Sequence, residues 1–161
     1  MIYIDLFKKL EENNVRYLLC GGLAVSIYGI PRSTADIDLL IDFDKTNLEK
    51  FISVMELLKY NSNVPVDLNR LFMDDYRKKL SDEKNMIALS FVNQITNVVH
   101  VDILIKIPFS FNDIWHRKNE RTFKDLKIQL ISPEDLISMK EISNRNQDKQ
   151  DIVQLLKLIN K

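Results

Sequence analysis

Glycine occurs only three times in the 161 residues, and all three lie between Gly21 and Gly29. A chain that confines glycine to one short stretch marks the place where its backbone must turn sharply or be approached closely. Just before it, Ile2, Leu6, Phe7 and Leu10 recur at helical spacing, and the apolar run Tyr17-Leu18-Leu19-Cys20 has the length of a buried strand. The spacing predicts a helix, a strand, a Gly-Gly turn and a second helix from Leu23 to Tyr28, stopped by Gly29 and Pro31. Arg32-Ser33-Thr34 then leads into Asp36-Ile37-Asp38-Leu39-Leu40-Ile41, which reads as a strand.

Further along, Leu48, Phe51, Ile52, Met55 and Leu58 form the stripe of a helix over Lys45 to Leu58. A helix capped by Asp67 is expected to carry Leu68, Leu71, Phe72 and Tyr76. Met86 to Val92 and Val98 to Ile105 flank Asn93-Gln94-Ile95-Thr96-Asn97 as a long-looped hairpin, and Lys127 to Ile131 gives another strand. Ser132-Pro133-Glu134-Asp135 has the cap, the first-turn proline and the acids of a helix start. That helix runs to about Arg145, and a last one from about Asp148 to Ile159. The expected fold class is α+β, one domain over 1–161: a catalytic core over 1–131 with a small mixed sheet flanked by helices, then a C-terminal helical hairpin over 132–161.

Composition narrows the function. Hydrophobic residues at 45% and charged residues at 29% exclude a disordered chain. Lys plus Arg (23) equals Asp plus Glu (23), so no broad nucleic-acid-binding surface is expected. The one cysteine, Cys20, excludes an internal disulfide and a cysteine-based zinc cluster, and fits a reducing compartment. No stretch reaches the ~20 apolar residues of a membrane span, and the start, with Asp5, does not read as a signal peptide. A cytoplasmic address without a membrane partner is the expectation.

The chemistry concentrates in acids. Asp36 and Asp38, two apart on a predicted strand, project from one face. Like charges so close are tolerated when solvated or when a hard divalent cation neutralises them. The Gly21-Gly22 turn before a helix offers backbone N–H groups suited to phosphate. Asp102 lies in Val99-His100-Val101-Asp102-Ile103-Leu104-Ile105, where an acid needs a partner, either a metal or a Lys or Arg salt bridge. His100 and His116 are too few for a histidine metal site.

Together, Cys20-Gly21-Gly22-Leu23-Ala24-Val25, then Arg32-Ser33-Thr34-Ala35-Asp36-Ile37-Asp38-Leu39-Leu40, then Asp102, resemble the nucleotidyltransferases of the DNA polymerase beta superfamily in their minimal and AbiEii-like forms. Ser132 to Lys140, with Arg145, Asp148, Lys149, Asp151 and Ile152, is similar to the C-terminal helices of that group. One departure is Gly22, which stands where many members have a serine whose hydroxyl holds triphosphate. The resemblance implies a transferase that moves a nucleoside monophosphate from an NTP to a hydroxyl of a small molecule, a protein or an RNA end. It implies Mg²⁺ or Mn²⁺ held by Asp36, Asp38 and Asp102, with Asp102 as base toward the acceptor. Nucleotide binding would fall to Gly21, Gly22, Arg32 and Lys140, against plain salt-bridge or surface roles for Arg32 and Lys140. A toxin or antitoxin partner is a setting the resemblance suggests. The competing reading is a non-catalytic interaction module of the same fold.

Overall fold

The structure, a computed structural model, describes residues 2–161. Helix α1 (Ile2–Glu12) leads to strand β1 (Tyr17–Cys20), which runs straight into helix α2 (Gly21–Ile27). All four β1 residues are buried, which explains their unbroken apolar run. The Gly-Gly pair is the first turn of α2 itself rather than a turn ahead of it, with Gly21 at a φ of +65°. Strand β2 (Ile37–Ile41) starts one residue later than predicted, leaving Asp36 exposed just ahead of it. Helix α3 (Lys45–Leu57) is capped by Asp44, whose carboxylate accepts from the Asn47 N–H.

Strand β3 (Tyr60–Ser62), a 3₁₀ turn at Leu68–Arg70 and helix α4 (Asp74–Lys84) come next. Asp67 does cap, but the turn it opens is short, because Leu71 is swallowed by the core and the chain must bend before α4 can start at Asp74 and Asp75. The apolar residues Leu68, Leu71 and Phe72 therefore belong to the bend and not to a helical stripe. Strands β4 (Ala88–Asn93) and β5 (His100–Leu104) form the expected hairpin, trimmed at its ends. Helix α5 (Phe111–His116), strand β6 (Asn119–Phe123) and strand β7 (Leu126–Leu130) precede helices α6 (Pro133–Ser143) and α7 (Asn146–Ile159).

The seven strands make one sheet in the order β3-β4-β5-β2-β1-β7-β6. The β2–β5 and β1–β7 pairs are parallel and the other four antiparallel, so the sheet is mixed. Its central strands carry the core: Leu19, Leu39, Val101, Ile103 and Leu130 are all inaccessible to solvent. Phe7 and Leu10 of α1 and Phe51 and Met55 of α3 pack among them, and Phe51 meets Phe91 edge to face at 5.6 Å. Leu136 of α6 and Leu155 of α7 join the same cluster. Ser132 caps α6 by accepting from the Asp135 N–H, and Asn144 in the left-handed region closes it. Among the described residues no helix is long and apolar enough to cross a membrane.

Candidate active site

Four adjacent strands place one polar row across the sheet. Cys20 of β1 pairs with Asp38 of β2, Asp38 with Asp102 of β5, and Asp102 with Ser90 of β4. Directly paired side chains share a face of the sheet, so register brings Asp38 and Asp102 together. The Ser90 hydroxyl donates to Asp102 Oδ1, leaving Oδ2 for another partner. Val101 and Ile103, on either side of Asp102, are fully buried on the other face, as strand alternation requires.

Gly21 sits directly over Asp38. A Cβ on it would lie 2.6 Å from the Asp38 Cγ and closer still to the carboxylate oxygen, besides the strain of its positive φ. Only a backbone without a side chain fits there. At Gly22 a Cβ would lie 3.0 Å from the Thr34 Cβ, so the second glycine accommodates the loop that leads to the acids. Gly29 also has a positive φ, +90°, but open space around it.

Burial pushes the Asp38 carboxyl up to about 6, and the nearby Asp102 and Asp36 charges push the same way, while Arg145 and Lys140 pull back. Among the described residues no Lys, Arg or His nitrogen forms an ion pair with Asp36, Asp38 or Asp102; the acids at this site that are paired are Asp148 and Asp151. The salt-bridge alternative for Asp102 is thus not realised. Nor, among the described residues, do three or more His, Cys, Asp or Glu side chains form a ready-made cage for one ion. Mg²⁺ seldom needs one: one or two carboxylates plus substrate phosphates and water satisfy it. The oxygen-only pair Asp38 and Asp102 fits that pattern.

Asp38 and Asp102 lie on the wall of a cleft of about 600 Å³ between the sheet and α6. Of the residues predicted from sequence, Gly21, Asp38, Asp102 and Lys140 line it, whereas Gly22, Asp36 and Arg32 do not. Lys140 is buried rather than solvated, its Nζ 2.7 Å from Asp151 Oδ2 and 3.1 Å from Asp148 Oδ1. Arg32 is engaged with Asp151 at 3.4 Å, which ties the loop before β2 to α7. Sequence reasoning missed Lys106 and Arg145 as cleft residues, and Ser90 as the hydrogen-bond partner of Asp102. Arg145 had a signal, its place in the C-terminal segment that resembles the family's helices, but that signal gave it no role at the site; Ser90 and Lys106 had none.

A mixed sheet with paired acids on adjacent strands, facing a helix that opens on Gly-Gly, defines the polymerase-beta-like nucleotidyltransferase fold. Solved structures agree. The chain is similar to the lincosamide antibiotic adenylyltransferase LnuA in its lincomycin-bound form, with 20% identity, a TM-score of 0.60 and coverage of 92% of this chain and 90% of that one. It is similar to ANT(2'')-Ia in complex with adenylyl-2''-tobramycin at 10% identity, TM-score 0.62, covering 96% and 86%. An antigenic nucleotidyltransferase-like protein from Paracoccidioides brasiliensis matches at 19% identity, TM-score 0.58, covering 97% and 74%. No curated protein matches the sequence. The family model described as nucleotidyltransferase of unknown function, DUF6036, matches residues 3–160, and the chain belongs to that family. It is accordingly an enzyme of the nucleotidyltransferase kind.

Proposed function

We propose that the chain transfers a nucleoside monophosphate from an NTP to a hydroxyl group of a small molecule. The observation that carries this reading is the in-register pair Asp38 and Asp102, without a cation partner among the described residues, beneath the bare Gly21 backbone. Asp38 and Asp102 would hold Mg²⁺ or Mn²⁺, with the exposed Asp36 just ahead of β2 as the third carboxylate; when bound, the metal would neutralise phosphate charge and acidify the acceptor hydroxyl. Asp102 Oδ2 accepts the hydroxyl proton, since Ser90 occupies Oδ1. The acceptor oxygen bonds to the α-phosphorus, the α–β phosphoanhydride bond breaks, and its electron pair leaves with pyrophosphate. First-turn N–H groups of α2 at Gly21 and Gly22 supply donors to the phosphates. Lys140, locked between two acids, adds positive charge near Asp38 from the cleft wall.

A small acceptor is favoured over nucleic acid by the balanced charge and by the size of the cleft. LnuA and ANT(2'')-Ia, named as acting on or bound to antibiotics, carry the same fold. Placement in the AbiEii-like branch, with a toxin or antitoxin partner, rests on the resemblance of the Gly-Gly motif and the α6–α7 segment alone, and the cytoplasmic address rests on the single cysteine and the composition.

Calorimetry with ATP, GTP, CTP and UTP, each with and without Mg²⁺, tests the reading. Metal-dependent binding of at least one is expected, followed by pyrophosphate release when a panel of small alcohols is added. Absence of binding to all four would return the chain to the interaction-module reading.

A further inference from the structure

The cleft floor is acidic, yet the proposed substrate carries a polyanionic tail, so positive groups with free donors must meet the phosphates that the metal does not. Among the described cleft residues the cations are Lys106, Lys140 and Arg145. Lys140 is buried and already shared between Asp148 and Asp151. Arg145, the residue that caps α7, is different. It is held side-on by Asp148, Nε 2.8 Å from Oδ2 and Nη2 3.3 Å from Oδ1, while its side chain stays 76% exposed. A guanidinium has five N–H donors in a rigid fork, so this grip fixes its plane and leaves the Nη1 side unspent. Asp148 in turn is anchored by Lys140, Ser143 and the Arg145 backbone N–H, which makes a stiff mount for one exposed cation. On the sheet side, Lys106 follows β5 two residues after its end, exposed and, among the described residues, in no ion pair.

We infer that Arg145 and Lys106, one on the helical side and one on the sheet side of the cleft, bind the outer phosphates of the nucleotide and follow them as pyrophosphate leaves. The inference rests on the transferase reading, and it moves phosphate recognition from Arg32, which is bound to Asp151, to residues that line the cleft. Arg145 gives bidentate, plane-fixed contact; Lys106 gives a mobile point charge.

The test uses the full chain and whichever NTP binds best with Mg²⁺, the corresponding NMP, and inorganic tripolyphosphate as a base-free competitor. Arg145→Gln and Lys106→Gln should each weaken NTP binding about ten- to a hundredfold and raise the tripolyphosphate concentration needed for competition in proportion. NMP affinity should move less than about threefold, because the groups at issue contact only the outer phosphates. Arg145→Lys should recover part of the loss and Lys106→Arg most of it. Melting curves separate a docking defect in the Arg145 variants from a binding defect, and exposed Lys106 provides a second position whose replacement leaves the fold alone. If the wild type binds NTP and both glutamine variants bind it unchanged, the inference is overturned while the transferase reading stands. Equal losses for NTP and NMP would overturn it as well. A wild type that binds none of the four NTPs overturns the transferase reading and this inference with it.

Discussion

At the scale of single residues, Gly21 and Asp38 act as a unit. Gly21→Ala must bear a left-handed backbone and a methyl group inside the Asp38 carboxylate. The backbone strain alone costs roughly 1–2 kcal/mol, so we expect a lowered denaturant midpoint together with loss of NTP binding. Gly22→Ala, with ordinary φ and only Thr34 to push aside, should fold and keep measurable binding, whereas Gly22→Val should lose it. Asp38 makes a separate prediction about pH. Its carboxyl holds its proton to about pH 6 in the folded chain, against an ordinary value of 3.8. Between those values the folded state binds the proton that the unfolded state has released, so stability from this group falls as pH rises through that window. Asp38→Asn should therefore match the metal-free wild type near pH 4 and melt above it at pH 7, by on the order of 1–3 kcal/mol. Mg²⁺ plus NTP should raise the melting point of the wild type and not of the variant. An Asp38→Asn protein that melts below the wild type at pH 7 would make the carboxylate structural.

Elements show why some of the chain was legible in its sequence and some was not. The long helices declared themselves by apolar spacing, and α6 by Ser132 and Pro133, because those signals act within one turn of the chain. The Asp-x-Asp run and Asp102 were visible as acids in apolar strands, but their pairing depends on a parallel β2–β5 contact across more than sixty residues, which no local pattern encodes. Strands β3 and β6 escaped notice since each sits at a sheet edge, and β6, Asn-Glu-Arg-Thr-Phe, is mostly exposed and polar. Helix α5 is too short for periodicity to register. Lys140 read as a nucleotide contact or a solvated residue of α6 and not as a buried ion-pair centre, since its burial is created by α7 folding over it. That burial predicts its energetics. Lys140→Met leaves Asp148 and Asp151 buried with less compensation, and should cost about 3–5 kcal/mol in chemical denaturation. Burial opposes ionisation of Asp148, but hydrogen bonds from Arg145, Ser143 and Lys140 outweigh it and hold the carboxyl well below the ordinary range. A depressed folded value means that this contribution is present above about pH 4 and fades as acid is added. The α6–α7 hairpin should accordingly loosen on acidification, an effect that hydrogen exchange at pH 3 and pH 7 would reveal.

Over the whole molecule, the core and the C-terminal helices share one apolar cluster and one cleft. Leu136 and Leu155 are buried in the cluster that also holds Leu19 and Ile103, and the cleft has the sheet as one wall and α6 as the other. Because residues on both sides of position 131 build that cluster and that cleft, we expect a fragment of residues 1–131 to show neither a cooperative calorimetric transition nor NTP binding. The same architecture contains its own clock. Cys20 is the sole thiol, 1% exposed at the end of β1, its sulfur hydrogen donating to the Asp38 carbonyl and its ionisation suppressed first by burial and then by Asp38. Cys20 lies in the wall of the cleft, so its thiol can meet an alkylating reagent only when the sheet and α6 part around it. The rate at which a maleimide labels the protein would then time that parting, molecule by molecule, in unmodified wild type, and each ligand that closes the cleft would slow the count.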